Sequence, residues 1–531
     1  MTSEAVTAER RREALRQGMV LALWAETKPD EPAIISPHGH RTFKTLNANT
    51  NRLARALRRK GLQAGDAIAL LSTNRPEFAE VMAASQRAGL RLTPINWHLT
   101  ADEAGYIVAD CEARALVADT RFAATAAGAI AQAPAAGIRL AVGGAIDGFE
   151  RYDDLVLAED GRDLDDPVLG TTMLYTSGTT GRPKGVHRPR SASAAAVSAA
   201  GAAQSVLASV RAAGNGPTMH LCTGPLYHAA PLAFSLATPL AQGMGVVMMD
   251  GWEAEETLRL IQRHRITHSH MVPTMFHRLL SLPPDVRAGY DVSSLRFVLH
   301  GAAPCSVAVK RGIIEWWGPV VYEYYAATEG GGTFVTSEEW LSRPGTVGKP
   351  ASPELINILD EAGAEAPVGA VGTIYIKAPD GAPFSYYHDP AKTASAYRDD
   401  YFTLGDVGYL DADGYLYLTD RSVNLIISGG VNIYPAEIEA VLITHPAVGD
   451  VAVIGVPNDE WGEEVKAVVE PQPGVQATSP LATELIAWCR DRLASYKCPR
   501  TVDFTVSLPR HDNGKLYKQQ LREEYRQQVK V

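Results

Sequence analysis

A twelve-residue stretch rich in hydroxyls, glycines and cations is the part of the sequence with the most specific chemistry. It runs from Tyr175 to Val186 and reads YTSGTTGRPKGV, with Arg182 and Lys184 as its cations. The four residues before it, TTML, are β-branched or apolar and predict a short strand. A loop of this composition after a strand presents backbone N–H groups and hydroxyls to phosphate oxygens. We therefore predict a phosphate-binding loop rather than a solvated surface turn.

Two common phosphate-loop templates do not fit this stretch. A P-loop requires GxxxxGK followed by Ser or Thr, but the residue before Lys184 is Pro183. The dinucleotide-binding pattern GxGxxG does not fit either. Another kind of phosphate loop is therefore indicated.

Two further candidate segments follow predicted strands. Leu295–His300 is a predicted buried strand that ends in Gly-Ala-Ala-Pro, and Val320–Tyr325 is a second one that ends in Ala-Ala-Thr-Glu-Gly. In open α/β sheets, ligands bind beyond the carboxyl ends of the strands. We expect both small-residue turns to border the bound ligand.

Strands and helices alternate with short connections through much of the chain, which predicts a parallel α/β sheet. Ala67–Leu71, for example, is a predicted strand, Pro76–Ala88 a helix and Leu90–Ile95 the next strand. From residue 344 to 421 short alternating segments predict an antiparallel sheet or small barrel, and a small mobile α+β unit follows. The expected domains are residues 1–420 and 421–531.

Composition narrows the class of protein. The 531 residues include 46% hydrophobic residues and carry a net charge of −10, which suits a globular chain and argues against a nucleic-acid binder. Five scattered cysteines without a CxxC pair favour a reducing, cytoplasmic location over a disulfide or zinc framework. No secretory h-region follows the N-terminus, and prolines interrupt the longest uncharged run, so we expect no transmembrane segment.

Taken together, the motifs resemble the ordered signature of the adenylate-forming superfamily. In chain order they read YTSGTTGRPKGV, LYHAAP, HGAAP, YAATEG, LGD, DR, SGGVNIYPAEIE and DNGK. The resemblance extends over residues 20 to 525 and is closest to acyl-CoA synthetases of the fatty-acid type. It implies that a carboxylate attacks the α-phosphorus of ATP, pyrophosphate leaves and an acyl-AMP forms. The thiol of CoA then accepts the acyl group.

The resemblance also assigns a role to individual residues. Glu329 would hold Mg²⁺ through an oxygen ligand, and Thr328 would contact the α-phosphate. Lys515 would contact the carboxylate and the α-phosphate during adenylation, and His228 would border the acyl pocket and CoA tunnel. The residues that would bind the β- and γ-phosphates are Thr176, Ser177, Gly178, Thr179, Thr180, Gly181 and Lys184. The residues that would line the adenine are Gly301, Ala302, Ala303 and Tyr325. Asp406 would accept hydrogen bonds from both ribose hydroxyls, and Arg421 would approach the ribose or the phosphates. The residues that would line the pantetheine channel are Ser428, Gly429 and Gly430.

Two residues depart from the family pattern. Val423 stands at the hinge, where Lys or Asp is common, and Ala326 stands where the adenine strand usually carries Gly. A β-branched residue has a stiffer backbone and side chain than an unbranched one, so rotation at the hinge is expected to be hindered. The sequence therefore supports the thiolation half-reaction less strongly than it supports adenylation. The methyl of Ala326 is either tolerated or presses on the adenine or acyl pocket.

The sequence predicts the class of reaction more specifically than it predicts the acid or the acceptor. Tyr322, Tyr324, Tyr325 and the Gly330–Gly332 run suggest room for a medium-to-long or bulky acid. The open alternatives for the acceptor are an amine, a carrier-protein thiol or oxygen, the last as in luciferases. An oxyanion such as nitrite in place of the acid, as in diazotases, is a further alternative. A non-catalytic nucleotide-binding homologue is a third interpretation. The expected small-molecule partners are the acid, ATP and CoA, and a homodimer stays open.

Overall fold

The computed structural model describes residues 8–176, 183–189, 218–378, 383–421, 424–428, 431–458, 461–510 and 516–528. Within these ranges the strands form five sheets. No helix in the described ranges is long and apolar enough to cross a membrane.

The first sheet is parallel and six-stranded. Its strands, in order across the sheet, are Glu150–Arg151, Ile138–Val142, Ala113–Asp119, Ala67–Leu71, Arg91–Pro94 and Thr171–Thr172. Its helices are Pro76–Ala88, Ala101–Asp110, Ala123–Gln132 and Tyr152–Leu157, with a 3₁₀ turn at Thr120–Phe122. Gly89 ends the first of these helices in the left-handed region, with φ of 76°, as a C-terminal glycine commonly does.

The second sheet has eight strands, parallel inside and antiparallel at both edges. In order these are Gly331–Val335, Val321–Ala326, Phe297–His300, His268–Met271, Met219–Cys222, Gly245–Met248, Pro32–Ser36 and Gly39–Thr42. The helices of this part of the chain are Ala8–Arg16, Val20–Thr27, Phe43–Arg59, Thr238–Ala241, Ala254–His264, Pro273–Leu280, Pro284–Ala288, Val307–Trp317 and Ser337–Ser342. A π-helix, Pro231–Ala237, precedes the shortest of them.

The two parallel sheets enclose one hydrophobic core. It joins Ile68 and Leu92 of the first sheet to Ile34 and Val246 of the second. The helices Phe43–Arg59 and Pro76–Ala88 lie in the same core, and twelve residues of the second helix are buried. The chain therefore stacks α/β layers, which confirms the predicted fold class.

Two smaller sheets follow the large layers. The five-stranded antiparallel sheet contains Ile356–Leu359, Gly372–Lys377, Tyr401–Leu410, Tyr397–Arg398 and Leu416–Arg421, with a 3₁₀ turn at Pro353–Leu355. The three-stranded sheet contains Ser385–Tyr386, Lys184–His187 and Leu174–Thr176, next to the helix Pro390–Ala396. One core containing Val186, Tyr386 and Phe402 joins the two sheets.

The fifth sheet belongs to the C-terminal part of the chain. Its strands are Val431–Ile433, Ile426–Ser428, Gly462–Pro471, Val448–Asn458 and Thr501–Phe504. The helices Pro435–Leu442, Ser479–Arg490 and Lys518–Gln528 and a 3₁₀ turn at Ser495–Lys497 accompany it. Its core, which includes Ile438 and Val453, is made entirely of residues after Arg421.

Most predicted elements lie where the sequence placed them. The strand Ala67–Leu71 and the helix Pro76–Ala88 have the predicted bounds. The predicted strands Leu295–His300 and Val320–Tyr325 are observed as Phe297–His300 and Val321–Ala326. The Ala-rich composition of residues 191–213 also predicts a helix, and this segment lies outside the described residues.

Candidate active site

The phosphate-binding motif forms a β-hairpin. Leu174–Thr176 pairs antiparallel with Lys184–His187, and Thr176 lies directly opposite Lys184. Ser177, Gly178, Thr179, Thr180 and Gly181 connect the two strands and lie outside the described residues. The hairpin thus fixes both ends of the connection that carries most of the predicted phosphate ligands.

Lys184 is held by an acid from a distant part of the chain. Its Nζ lies 2.7 Å from Oδ2 of Asp389, and 17% of its side chain is exposed. The other oxygen of Asp389 accepts from the backbone N–H of Lys392 at 2.9 Å and caps the helix Pro390–Ala396. The hydrogen bond from Lys184 is the main reason why the pKa of Asp389 lies below its ordinary value. The motif lysine is therefore oriented by the protein itself.

Glu329 is buried and linked to the same three-stranded sheet. The hydroxyl of Tyr386 donates to Oε1 of Glu329 at 3.0 Å, and the residue is 7% exposed. Tyr386 pairs with Val186, two residues after Lys184. The structure thus brings the predicted magnesium ligand next to the phosphate hairpin.

Arg188 holds the backbone of the turn that contains Thr328 and Glu329. Its guanidinium donates to the carbonyl oxygen of Thr328 at 3.2 Å and also to that of Glu329. Burial lowers the pKa of Arg188, and the nearby carboxylate of Glu329 opposes this effect. No motif in the sequence identifies this arginine. Its only signal is a cation four residues after Lys184, directly after the strand Lys184–His187.

Tyr325 and Asp406 are in direct contact. The phenol of Tyr325 donates to Oδ2 of Asp406 at 2.7 Å, and Asp406 is 7% exposed. Asp406 also pairs with Arg421 across two antiparallel strands, although the side chain of Arg421 lies outside the described residues. The residues predicted for adenine and ribose therefore meet at one place, from elements 81 residues apart.

The Gly301 turn is shaped by the neighbouring strand. A Cβ at Gly301 would lie 2.7 Å from both the ring and the carbonyl oxygen of Tyr324, so any side chain there would clash. Ala302 follows with φ of 69°, a left-handed conformation uncommon outside glycine. Both it and Ala303 retain exposed surface. The backbone of Gly301 lies so close to Tyr324 that it can form a flat surface against which a planar ligand could pack.

His228 begins the helical segment that covers this part of the second sheet. Its carbonyl accepts from the N–H of Leu232 at 3.0 Å, one turn into the segment. Its ring lies against that of Tyr227, with centroids 4.4 Å apart. The contacts thus place His228 at the start of the element that carries Phe234.

Two of the three glycines in the run after Glu329 face close neighbours rather than open space. A Cβ at Gly330 would lie 2.6 Å from the ring of Phe402, and one at Gly332 would lie 2.7 Å from the carbonyl oxygen of Tyr325. Only Gly331 faces open space among the three. Two of these glycines are therefore required for close packing against neighbouring residues. The methyl of Ala326, in the same region, packs against a small aromatic cluster.

The predicted groups of the C-terminal part are flanked in the sequence by two described antiparallel pairings. Ser428 ends a strand and pairs with Val431, and Gly429 and Gly430 stand between these two residues in the sequence. Arg510 and Leu516 form an isolated antiparallel bridge around the segment that contains Lys515. Gly429, Gly430, Lys515 and the hinge residue Val423 lie outside the described residues, so their roles stay predictions.

Comparison with known proteins agrees with this geometry. The family model for AMP-binding enzymes matches residues 21–387, and the model for the C-terminal domain of the same enzymes matches residues 437–515. A feruloyl-CoA synthase from an Amycolatopsis species is 34% identical over 494 residues, which cover 91% of this chain and 94% of that protein. The fatty acid–[acyl-carrier-protein] ligase ScoC from Streptomyces coeruleorubidus is 32% identical, with coverage of 94% and 95%.

A solved structure shares the architecture along almost the whole chain. The amide bond synthetase McbA from Marinactinospora thermotolerans superimposes with a TM-score of 0.79 at 28% identity and covers 97% of this chain and 100% of its own. The names of these three similar proteins differ in the acid and in the acceptor. Similarity alone therefore leaves both open for this chain.

Proposed function

Since the chain belongs to the AMP-binding enzyme family, we propose that it activates a carboxylic acid with ATP and transfers the acyl group to the thiol of CoA. The observation that carries this proposal is the hydrogen bond from Tyr386 to Glu329. It links the predicted metal ligand, in the turn after the strand Val321–Ala326, to the three-stranded sheet that contains both strands of the phosphate hairpin. A protein that only bound AMP would have no need for this arrangement on the pyrophosphate side.

The residues around Asp406 supply the nucleoside half of the site. Its carboxylate would accept hydrogen bonds from both ribose hydroxyls, and the Tyr325 hydroxyl fixes its orientation through the 2.7 Å bond. The Tyr325 ring and the Gly301–Ala303 turn would face the adenine. Because both groups are positioned before ATP binds, little reorganisation is needed.

Lys184 and Glu329 would act on the phosphates. Lys184 supplies fixed positive charge for the pyrophosphate that leaves. The fit of Mg²⁺ is supported by the donor set: Glu329 is a buried carboxylate whose hydrogen bond comes from a neutral phenol. Mg²⁺ in phosphate-transfer sites is commonly held by one or two carboxylates together with substrate phosphates, and it neutralises phosphate charge there.

For the acceptor of the acyl group, the comparisons support a second candidate besides CoA. The similarity to the carrier-protein ligase and to the amide bond synthetase covers as much of this chain as the similarity to the feruloyl-CoA synthase. A carrier thiol or an amine is therefore the second candidate, and nitrite chemistry is a more remote one. The retained Lys184, Glu329 and Asp406 favour catalysis over a purely regulatory nucleotide binder.

The role proposed for Lys515 gives the sharpest test of this function. In Lys515→Ala we expect acid-dependent pyrophosphate release to fall by roughly 100- to 1000-fold, because one directed charge is lost from the adenylation site. Conversion of a supplied acyl-adenylate to acyl-CoA should persist. Both half-reactions are measured separately, across acids of increasing size and with and without CoA.

The matched control is Lys44→Ala, which removes an exposed lysine of the helix Phe43–Arg59 and should change neither half-reaction. Equal loss of both half-reactions in Lys515→Ala would contradict the assigned role. Turnover with an amine or nitrite but not with CoA would contradict CoA as the acceptor.

A further inference from the structure

One face of the second sheet carries an aromatic cluster next to the candidate site. Phe297, Leu299 and Tyr324 are buried in it, and Phe234, Tyr322 and Phe334 pack on it while keeping exposed surface. Tyr322 stacks on Phe297 and on Phe334, with centroids 4.6 and 5.8 Å apart. We call these six residues the aromatic patch.

The aromatic patch borders the reacting end of the site. Tyr324 directly precedes Tyr325, and its ring lies against the backbone of Gly301. Phe234 belongs to the helical segment that begins near His228, and its centroid lies 5.0 Å from that of Tyr324. An acid whose carboxylate lies near Thr328 would therefore extend its carbon skeleton onto this patch.

A polar pair is buried within the aromatic patch. Nε2 of His270 lies 3.0 Å from the hydroxyl oxygen of Tyr324, and the two residues are 1% and 8% exposed. Burial lowers the pKa of His270 to about 3, so its imidazole is neutral at ordinary pH. A neutral imidazole either donates or accepts at Nε2, depending on its tautomer. The Tyr324 hydroxyl keeps further hydrogen-bonding capacity in either case.

From this arrangement we propose that the acid is aromatic and carries a polar ring substituent that hydrogen-bonds to the Tyr324 hydroxyl. The inference rests on the proposed function, since it identifies the patch as the acid-binding part of the same site. Stacked aromatic side chains favour a flat ring over a flexible alkyl chain of equal size. The close packing at Gly330 and Gly332 agrees, because these glycines do not open a path for a long chain.

The test compares acids that differ in one feature. We expect kcat/KM for pyrophosphate release to be at least tenfold higher with 4-hydroxycinnamate than with cinnamate, and lower still with octanoate. In Tyr324→Phe this tenfold ratio should fall towards one, with cinnamate itself little affected, because only the hydroxyl contact is lost. The control Tyr322→Phe, in the same patch, should keep the ratio.

A binding measurement separates this inference from the reaction. Calorimetry with the non-reactive N-acylsulfamoyl adenosines of 4-hydroxycinnamate and cinnamate should show the same preference and its loss in Tyr324→Phe. Preference in binding without turnover of any acid would overturn the proposed function and support the inference. Equal binding of both analogues, a higher kcat/KM with octanoate, or equal losses for all acids in Tyr324→Phe would overturn the inference and leave the proposed function standing.

Discussion

The two faces of the strand Val321–Ala326 differ in chemistry. Glu323 and Tyr325 lie on one face, and Tyr322 and Tyr324 lie on the other, because side chains alternate along a strand. The first face leads to Asp406 and is held by charges and hydrogen bonds. The second leads to the aromatic patch and is held by ring packing. Under the proposed function, this one strand would separate recognition of the nucleotide from recognition of the acid.

The first face contains a fully buried ion pair. Nζ of Lys310 and Oε2 of Glu323 lie 2.5 Å apart, the lysine lies over the ring of Trp340, and Nε2 of His300 lies 3.7 Å from Oε2 of Glu323. Burial raises the pKa of Glu323, an effect that Lys310 opposes. Burial and the charge of Lys310 both lower the pKa of His300, so this histidine is neutral. The pair links the helix that follows the Gly301 turn to the strand that ends at the Thr328 turn.

The largest effect is expected from breaking this ion pair. Lys310→Met should lower the free energy of unfolding by about 3–5 kcal/mol, because it leaves Glu323 as an uncompensated buried charge. Urea denaturation measures the loss. The double variant Lys310→Met, Glu323→Leu should recover most of it, and equal stability of the single and double variants would show that the charge is not the cause.

A slightly smaller effect is expected from removing the charge of Glu329, the proposed magnesium ligand. Glu329→Gln should reduce the rate of acyl-AMP formation by roughly 100-fold, since a neutral amide cannot supply the carboxylate ligand that Mg²⁺ requires. The rate is measured by pyrophosphate release at increasing Mg²⁺ concentrations. Glu338→Gln, which changes an exposed acid on a nearby helix, should have no effect. A normal rate in Glu329→Gln would exclude the proposed role of its carboxylate.

The smallest effect is expected from removing the Tyr325 hydroxyl, which tests whether the two faces of the strand have different functions. Tyr325→Phe should raise KM for ATP by about 5- to 10-fold through loss of its bond to Asp406, while the ratio between two acids stays constant. Tyr324→Phe should leave KM for ATP unchanged and should change the ratio between the two acids. Initial rates at varied ATP and acid measure both quantities. A change in acid preference in Tyr325→Phe would mean that the strand does not separate the two functions.

The sequence predicted the parts of the fold that depend on local patterns. The strand Ala67–Leu71 and the helix Pro76–Ala88 follow from apolar periodicity and a terminal glycine, and the motif residues Tyr325 and Asp406 were chosen together by resemblance. Their mutual hydrogen bond was not predictable, because it depends on packing between two sheets.

Long-range partners account for most of what was missed. Tyr386 and Asp389 contact Glu329 and Lys184 across 57 and 205 residues, and no local pattern identifies them. The glycines at 330 and 332 were interpreted as space because the sequence does not show the neighbours, Phe402 and the Tyr325 backbone, that fill it. Spacing identifies residue types suited to a reaction, whereas packing determines which of them meet.

The ion pair between Lys184 and Asp389 has a consequence for how nucleotides compete for the site. A lysine without a partner would carry a bare positive charge that attracts any small anion. Here the carboxylate of Asp389 pairs with that charge. Under the proposed function a phosphate ligand would have to displace this carboxylate, which would disfavour inorganic phosphate relative to a ligand with several phosphates. The side chain is also already ordered, so part of the rotamer entropy of a lysine, about 1.5–2 kcal/mol in full, is lost before ATP arrives. Under the proposed function, Asp389 would thus compete with phosphate for Lys184 and would keep the lysine side chain in place before ATP binds.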